Sequence, residues 1–170
     1  MKAILISIRP EWCERIISGE KTVEIRKNRP KLEPPFKCYV YRTNGYVEEY
    51  RDEKGVHYQW CQGGVIGEFL CDEIAVDRSY GHNPLLARVA CLSPADAASY
   101  CVNSKMYGWH ISDFKVYTKP KTLCEFMKPC PNEWDCECCA MFREFNDECG
   151  NMALRIKRAP QSWCYVEELT

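Results

Sequence analysis

The first twenty-six residues leave the chain little choice of fold. Lys2 to Arg9, KAILISIR, is an Ile- and Leu-rich run of strand length. Pro10 follows, and proline suits the first helical position because its missing N–H would be unpaired there and its φ is already helical. EWCERIISG then puts Trp12, Ile16 and Ile17 on one helix face, and Gly19 suits a left-handed C-terminal cap. The spacing predicts a short helix over 10–18. TVEIR comes next, β-branched and strictly alternating, which is a strand. A strand, a helix of about two turns and a second strand therefore open the fold.

The rest of the chain is mostly β. KNRPKLEPP is a proline-punctuated loop and FKCYVYRT a strand. Residues 45–62 read as an inserted hairpin, with YVEEYR and VHYQWC on either side of Asp52-Glu53-Lys54-Gly55. GGVIGEFLCDEIAVD is the longest β candidate, and Gly67 within it marks a bulge or tight bend. A second helix is predicted over 94–101, with Ser93 as N-cap, Pro94 at the first position and Asp96 at the third. WHISDFKVY is a strand, PKTLCEF a short helical or turn segment, and MALRIKRAPQSWCYVEEL two β-like pieces broken at Pro160. Helices do not alternate regularly with strands, so a doubly wound sheet is not expected. The predicted class is α+β, with a small β-barrel as core. The 170 residues form a single domain, with a hairpin insert at 45–62 and a Cys-rich insert at 124–150.

Composition excludes several classes. At 46% hydrophobic and 28% charged residues the chain can bury a core and is not disordered. No window approaches the roughly 20 apolar residues of a membrane span. MKAILISIRPEW has too short an apolar run, and no small-residue cleavage site, for a secretory signal. The cysteine count, thirteen, is odd, which fits reduced thiols in a cytoplasmic protein better than a disulfide framework. Charge is uneven. Residues 1–42 hold ten Lys/Arg against five Glu, a surplus of five, so the remainder carries −6 within a whole-chain −1. A basic first third fits an anionic ligand, or simply a solvated mixed-charge surface.

Chemistry concentrates in Gly19-Glu20-Lys21-Thr22-Val23-Glu24-Ile25-Arg26. Side chains alternate along a strand, so Thr22, Glu24 and Arg26 share one face while Val23 and Ile25 take the core. Lys21, Glu24 and Arg26 can then converge at a cleft, where two cations hold a phosphate or carbonyl oxygen and the carboxylate accepts a proton or hydrogen bond. A surface strand carrying an ion pair gives the same spacing.

The block Gly19-x-Lys21-x-x-Glu24-x-Arg26, after a strand carrying Ser7, Arg9 and Pro10, resembles the signature of the ASCH domain family. The resemblance covers 1–42 well, 65–77 and 107–118 loosely, and the last strand by order only. It implies a PUA-like barrel fold and a cleft that binds RNA or a nucleotide, lined by Ser7, Arg9, Lys21, Thr22, Glu24, Arg26 and, by position, His110. Some members are similar in being hydrolases, either ribonucleases or amidohydrolases of acylated cytidine nucleosides. The amidohydrolases carry Thr where this chain has Glu24. If this chain were an enzyme, Lys21 and Glu24 would be its catalytic pair.

A second constellation is Cys130-x5-Cys136-x2-Cys139-x9-Cys149, with Cys138 as an alternate. Four thiolates can surround a structural Zn²⁺, and Cys136-x-x-Cys139 supplies the tight knuckle. Buried free thiols or a disulfide are the other readings. Tyr46, Tyr50, Tyr58 and Trp60 on the hairpin can stack bases, although packing across strands explains them better. An interaction protein, offering its acidic hairpin and a zinc knob to a protein partner, is the reading from a different class.

Overall fold

The opening run KAILISI becomes β1 (Lys2–Ile8), and it is apolar on both faces because both faces are covered. Ile4, Ile6 and Ile8 join one core cluster, with Phe36, Cys38, Phe69 and Trp109. Ala3 and Leu5 join another, with Tyr39, Val65, Phe126, Ile156 and Val166. The structure is a computed structural model that describes residues 1–43, 46–61, 63–78, 83–100, 105–131 and 151–169.

Among these residues β1 is followed by α1 (Pro10–Ile17), β2 (Val23–Arg26), β3 (Phe36–Arg42), β4 (Tyr46–Asp52), β5 (Gly55–Cys61), β6 (Gly64–Cys71) and β7 (Ile74–Asp77). Two helices, α2 (Pro84–Val89) and α3 (Pro94–Tyr100), come before β8 (Met106–His110), β9 (Ser112–Lys121) and β10 (Trp163–Glu167). No helix among the described residues is long and apolar enough to cross a membrane.

The strands form a five-stranded sheet in the order β10-β1-β3-β6-β9, a three-stranded sheet β2-β8-β7, and the separate hairpin β4-β5. β1 and β3 run parallel and their other neighbours antiparallel. The α+β character holds, but the barrel does not. The larger sheet ends at β10 and β9, the smaller at β2 and β7, and no pairing among the described residues closes either. The reason lies in two strands that the sequence presents as continuous. GGVIGEFLCDEIAVD breaks at Asp72-Glu73 and WHISDFKVY at Ile111, and in each case the two halves join different sheets. The corner is fastened by the backbone N–H of His110 donating to Glu73 O (2.9 Å) and that of Ile111 donating to Thr22 O (2.9 Å).

Helices and turns cover the sheets. α2 begins at a cap the sequence analysis missed: the Asn83 side chain accepts from Leu86 N–H (3.1 Å), with Pro84 at the first position. α3 begins as expected, with Asp96 N–H donating to Ser93 Oγ (3.1 Å). Leu86 and Ala90 pack with Val23, Ile25 and Met106 in a third cluster. On the far face of the large sheet Phe126 is fully buried against Tyr39, with ring centroids 4.9 Å apart. Burial of that size contributes about 1.5–3 kcal/mol and holds the 122–128 segment down. The first of the two C-terminal β-like pieces is a 3-10 turn, Met152–Leu154, followed by a single bridge from Arg155 to Met127.

Candidate functional site

Gly19, with φ +78°, turns the chain out of α1, and the Lys21 N–H then donates to Arg15 O (2.9 Å). β2 alternates as its sequence demands. Val23 and Ile25 pack under α2, while Glu24 and Arg26 look the other way, toward β1. Both faces are thus occupied, and Lys21 and Glu24 are buried.

Glu24 sits between two cations. Its Oε2 lies 3.3 Å from Lys21 Nζ and its Oε1 3.1 Å from Arg26. Each cation has a further carbonyl. Lys21 Nζ donates to Ala90 O (2.8 Å) at the carbonyl end of α2, where a cation is favoured. Arg26 donates to Ser7 O (2.6 Å), and its buried Nε has no hydrogen-bond partner among the described residues. Lys21 Nζ also stands 5.2 Å from the centre of the Trp12 ring. β1, β2, α1 and α2 therefore meet at three charges, two of them buried and the third, Arg26, nearly so.

These charges floor a cavity of about 590 Å³. Of the residues that the resemblance implies for the cleft, Ser7, Arg9, Lys21, Glu24 and Arg26 line this cavity. Thr22 and His110 do not. Thr22 spends its backbone on Val89 O and the Ile111 N–H. His110 pairs with Val23 across β2 and β8, so it shares Val23's face and not that of Glu24. Its Nδ1 lies 2.6 Å from Asp72 Oδ1 at the sheet corner, and this bond holds the Asp72 carboxyl below its usual value.

The sequence analysis missed the opposite wall. Leu92, Asp96, Ser99 and Tyr100 come from α3 and the turn before it, and Gln161 from the segment leading into β10. Only the Ser93 cap placed a helix there, and nothing in the sequence says which strand that helix faces. The cavity therefore carries three cations, Arg9, Lys21 and Arg26, against two carboxylates, Glu24 and Asp96.

No thiol among the described residues lines the cavity. Cys13, Cys38 and Cys71 are buried in the core, and desolvation pushes Cys13 and Cys71 up to about 12 and Cys38 well above its usual value. They act as small apolar residues. Of the expected zinc ligands, Cys130 is half-buried, while Cys136, Cys138, Cys139 and Cys149 lie outside the described residues. Among the described residues no cluster of His, Cys, Asp or Glu is arranged to hold a metal. The side chains of Tyr46, Tyr50, Tyr58 and Trp60 are also outside the description.

The sequence profile of the ASCH domain matches residues 6–145. No curated protein matches the sequence. Among solved structures, the chain is similar to "Crystal structure of ASCH from Zymomonas mobilis", at 20% identity and a TM-score of 0.59, over 98% of this chain and 88% of that one. A tyrosine-to-phenylalanine mutant of the same Zymomonas mobilis protein gives 21% identity and a TM-score of 0.58, over 99% and 92%.

Proposed function

This chain belongs to the ASCH domain family, and on that premise we propose that it binds RNA or a nucleotide in the cavity above Lys21, Glu24 and Arg26. The observation that carries the reading is the mixed chemistry of the cavity lining. Flat aromatic side chains (Trp12, Tyr100), hydrogen-bonding groups (Ser7, Thr43, Ser99, Gln161) and an excess of cations over carboxylates line the same 590 Å³. A planar, hydrogen-bonding, anionic ligand answers all three. A cytoplasmic setting belongs to the same reading and rests on the odd cysteine count.

Binding is favoured over hydrolysis by Lys21 and Glu24. Both Glu24 oxygens are engaged by cations, and the Lys21 ammonium is engaged by Glu24 and Ala90 O. The test is titration of a labelled single-stranded RNA at low salt, with recovery of the RNA afterwards. Wild type should bind and return it intact. Trp12→Ala should weaken binding about tenfold or more, the scale of a lost aromatic contact to a base, and Trp12→Phe should recover most of it. No binding by wild type would defeat the reading. Cleavage of the RNA would establish hydrolysis in its place.

We propose separately that Cys130, Cys136, Cys139 and Cys149, with Cys138 as alternate, hold one structural Zn²⁺. The support is the spacing in the sequence alone, a tight Cys-x-x-Cys within a polar stretch. Elemental analysis of protein purified without chelator should give one zinc per chain. A value near zero, with these thiols all titrating, rules it out.

A further inference from the structure

The cations around the cavity fall into two sets that differ in burial and in pairing. Lys21 and Arg26 form the floor, share Glu24, and have side chains 3% and 13% exposed. Both already have partners inside the protein, one shared carboxylate and a carbonyl each. A phosphate brought to them would have to compete with Glu24 for donors that also hold Ala90 O and Ser7 O. The floor is therefore poorly suited to holding the backbone of a polyanion.

The rim is different. Arg9, the first residue beyond β1, lines the cavity with its side chain 77% exposed. Its carboxylate neighbour among the described residues, Glu11, is 4.0 Å away and more than half exposed, so water screens the pairing. Lys27, the first residue beyond β2, is exposed. Its Nζ stands 5.0 Å from the centre of the Tyr100 ring, in the cavity wall, and it forms no ion pair among the described residues. β1 and β2 lie in different sheets, and the Arg26 side chain links them across the cavity by donating to Ser7 O. Arg9 lines the cavity itself, and Lys27 follows Arg26, which does. The carboxylate at the mouth, Asp96, is turned to its own helix cap, where it accepts from Ser93 Oγ (2.6 Å).

We propose that Arg9 and Lys27 hold two backbone phosphates of a single-stranded RNA, with a nucleotide between them turned into the cavity. The proposal rests on the nucleic-acid reading above and names its ligand more narrowly. The chain takes a strand with phosphates on both sides of the occupied position, in preference to a free nucleoside. It also takes unpaired RNA in preference to a duplex, because a paired base cannot leave its helix to reach a recessed floor without paying the unstacking cost.

The experiment is fluorescence anisotropy with a labelled single-stranded RNA of about ten nucleotides, a length within the usual span of such sites, and with the same RNA annealed to its complement. Each is titrated over a range of salt into wild type, Arg9→Ala, Lys27→Ala and the double variant. Single strands contribute a slope of about −0.7 in log K against log salt per phosphate held. Wild type should show about −1.4, each single variant about −0.7, and the double variant near zero. The single strand should bind more tightly than the duplex. Both side chains are exposed, so the variants should keep the wild-type circular dichroism spectrum. Binding that keeps its slope in both variants, or a duplex that binds as tightly as the single strand, overturns the proposal and leaves the binding reading standing. Wild type that binds neither RNA overturns both.

Discussion

Replacing Glu24 with leucine should destabilise the protein by about 3–5 kcal/mol, the usual cost of stranding a buried charge. Lys21 and Arg26 would each lose the one carboxylate beside them among the described residues, at positions where water reaches little of either side chain. Lys21 would keep Ala90 O and Arg26 would keep Ser7 O, but carbonyl dipoles do not replace a counter-charge. The surface pair Arg15–Glu20 gives the internal control. At 3.3 Å it is as short as the buried Lys21–Glu24 pair, yet both its side chains are exposed, and Glu20→Ala should cost only about 0–1 kcal/mol. Combining Lys21→Met, Glu24→Leu and Arg26→Met should restore most of the stability, because an apolar replacement of a whole buried ion cluster is often neutral. The triple variant should still fail to bind RNA, since the polar floor of the cavity is gone. Urea midpoints of the four proteins decide it. A Glu24→Leu midpoint close to that of Glu20→Ala would show that water or a rearranged carboxylate supplies the missing charge.

That cluster also marks how far the sequence could be read. The alternation of Thr22 to Arg26 required Val23 and Ile25 to face away from Glu24 and Arg26, and they do. Pro10 and Gly19 bounded α1 by local sterics, and Ser93 marked the start of α3 in the same way. Local rules reach that far. They do not reveal α2, because NPLLARVAC is too short for a helical period to stand out beside its Asn83-Pro84 start. Yet α2 supplies the carbonyl that holds Lys21. The barrel failed for a related reason. A run such as WHISDFKVY looks continuous, and its break at Ile111 is set by Thr22, some ninety residues earlier in the chain. A charge count does not tell paired cations from free ones either: of the ten Lys/Arg in residues 1–42, two share Glu24 inside the fold.

Gly67→Ala should cost about 3 kcal/mol, at the top of the usual range for overpacking, because what the new methyl meets is backbone. A Cβ at Gly67 would collide with Lys115 O and lie 3.1 Å from Phe114 Cζ. β9 is an edge strand, so in principle it could swing outward. Three contacts oppose that. Ser112 Oγ donates to Leu70 O (2.9 Å) at one end, the Tyr117 hydroxyl donates to Glu68 Oε2 (2.6 Å) beyond, and Phe114 is packed against the main core. The register already shifts on either side of Gly67, between Val65 and Gly67 and between Glu68 and Leu70, so no slack remains in the pairing. Gly108 is the comparison. A Cβ there would meet Leu86 Cδ1 at 2.7 Å and Val23 Cγ1 at 2.9 Å. Those are side-chain methyls, which can rotate away, so Gly108→Ala should cost less, about 1 kcal/mol. Chemical denaturation of the two variants ranks them directly. If Gly108→Ala were the more damaging, the close packing of α2 on β8, and not the approach of β9 to β6, would be the tighter constraint on the fold.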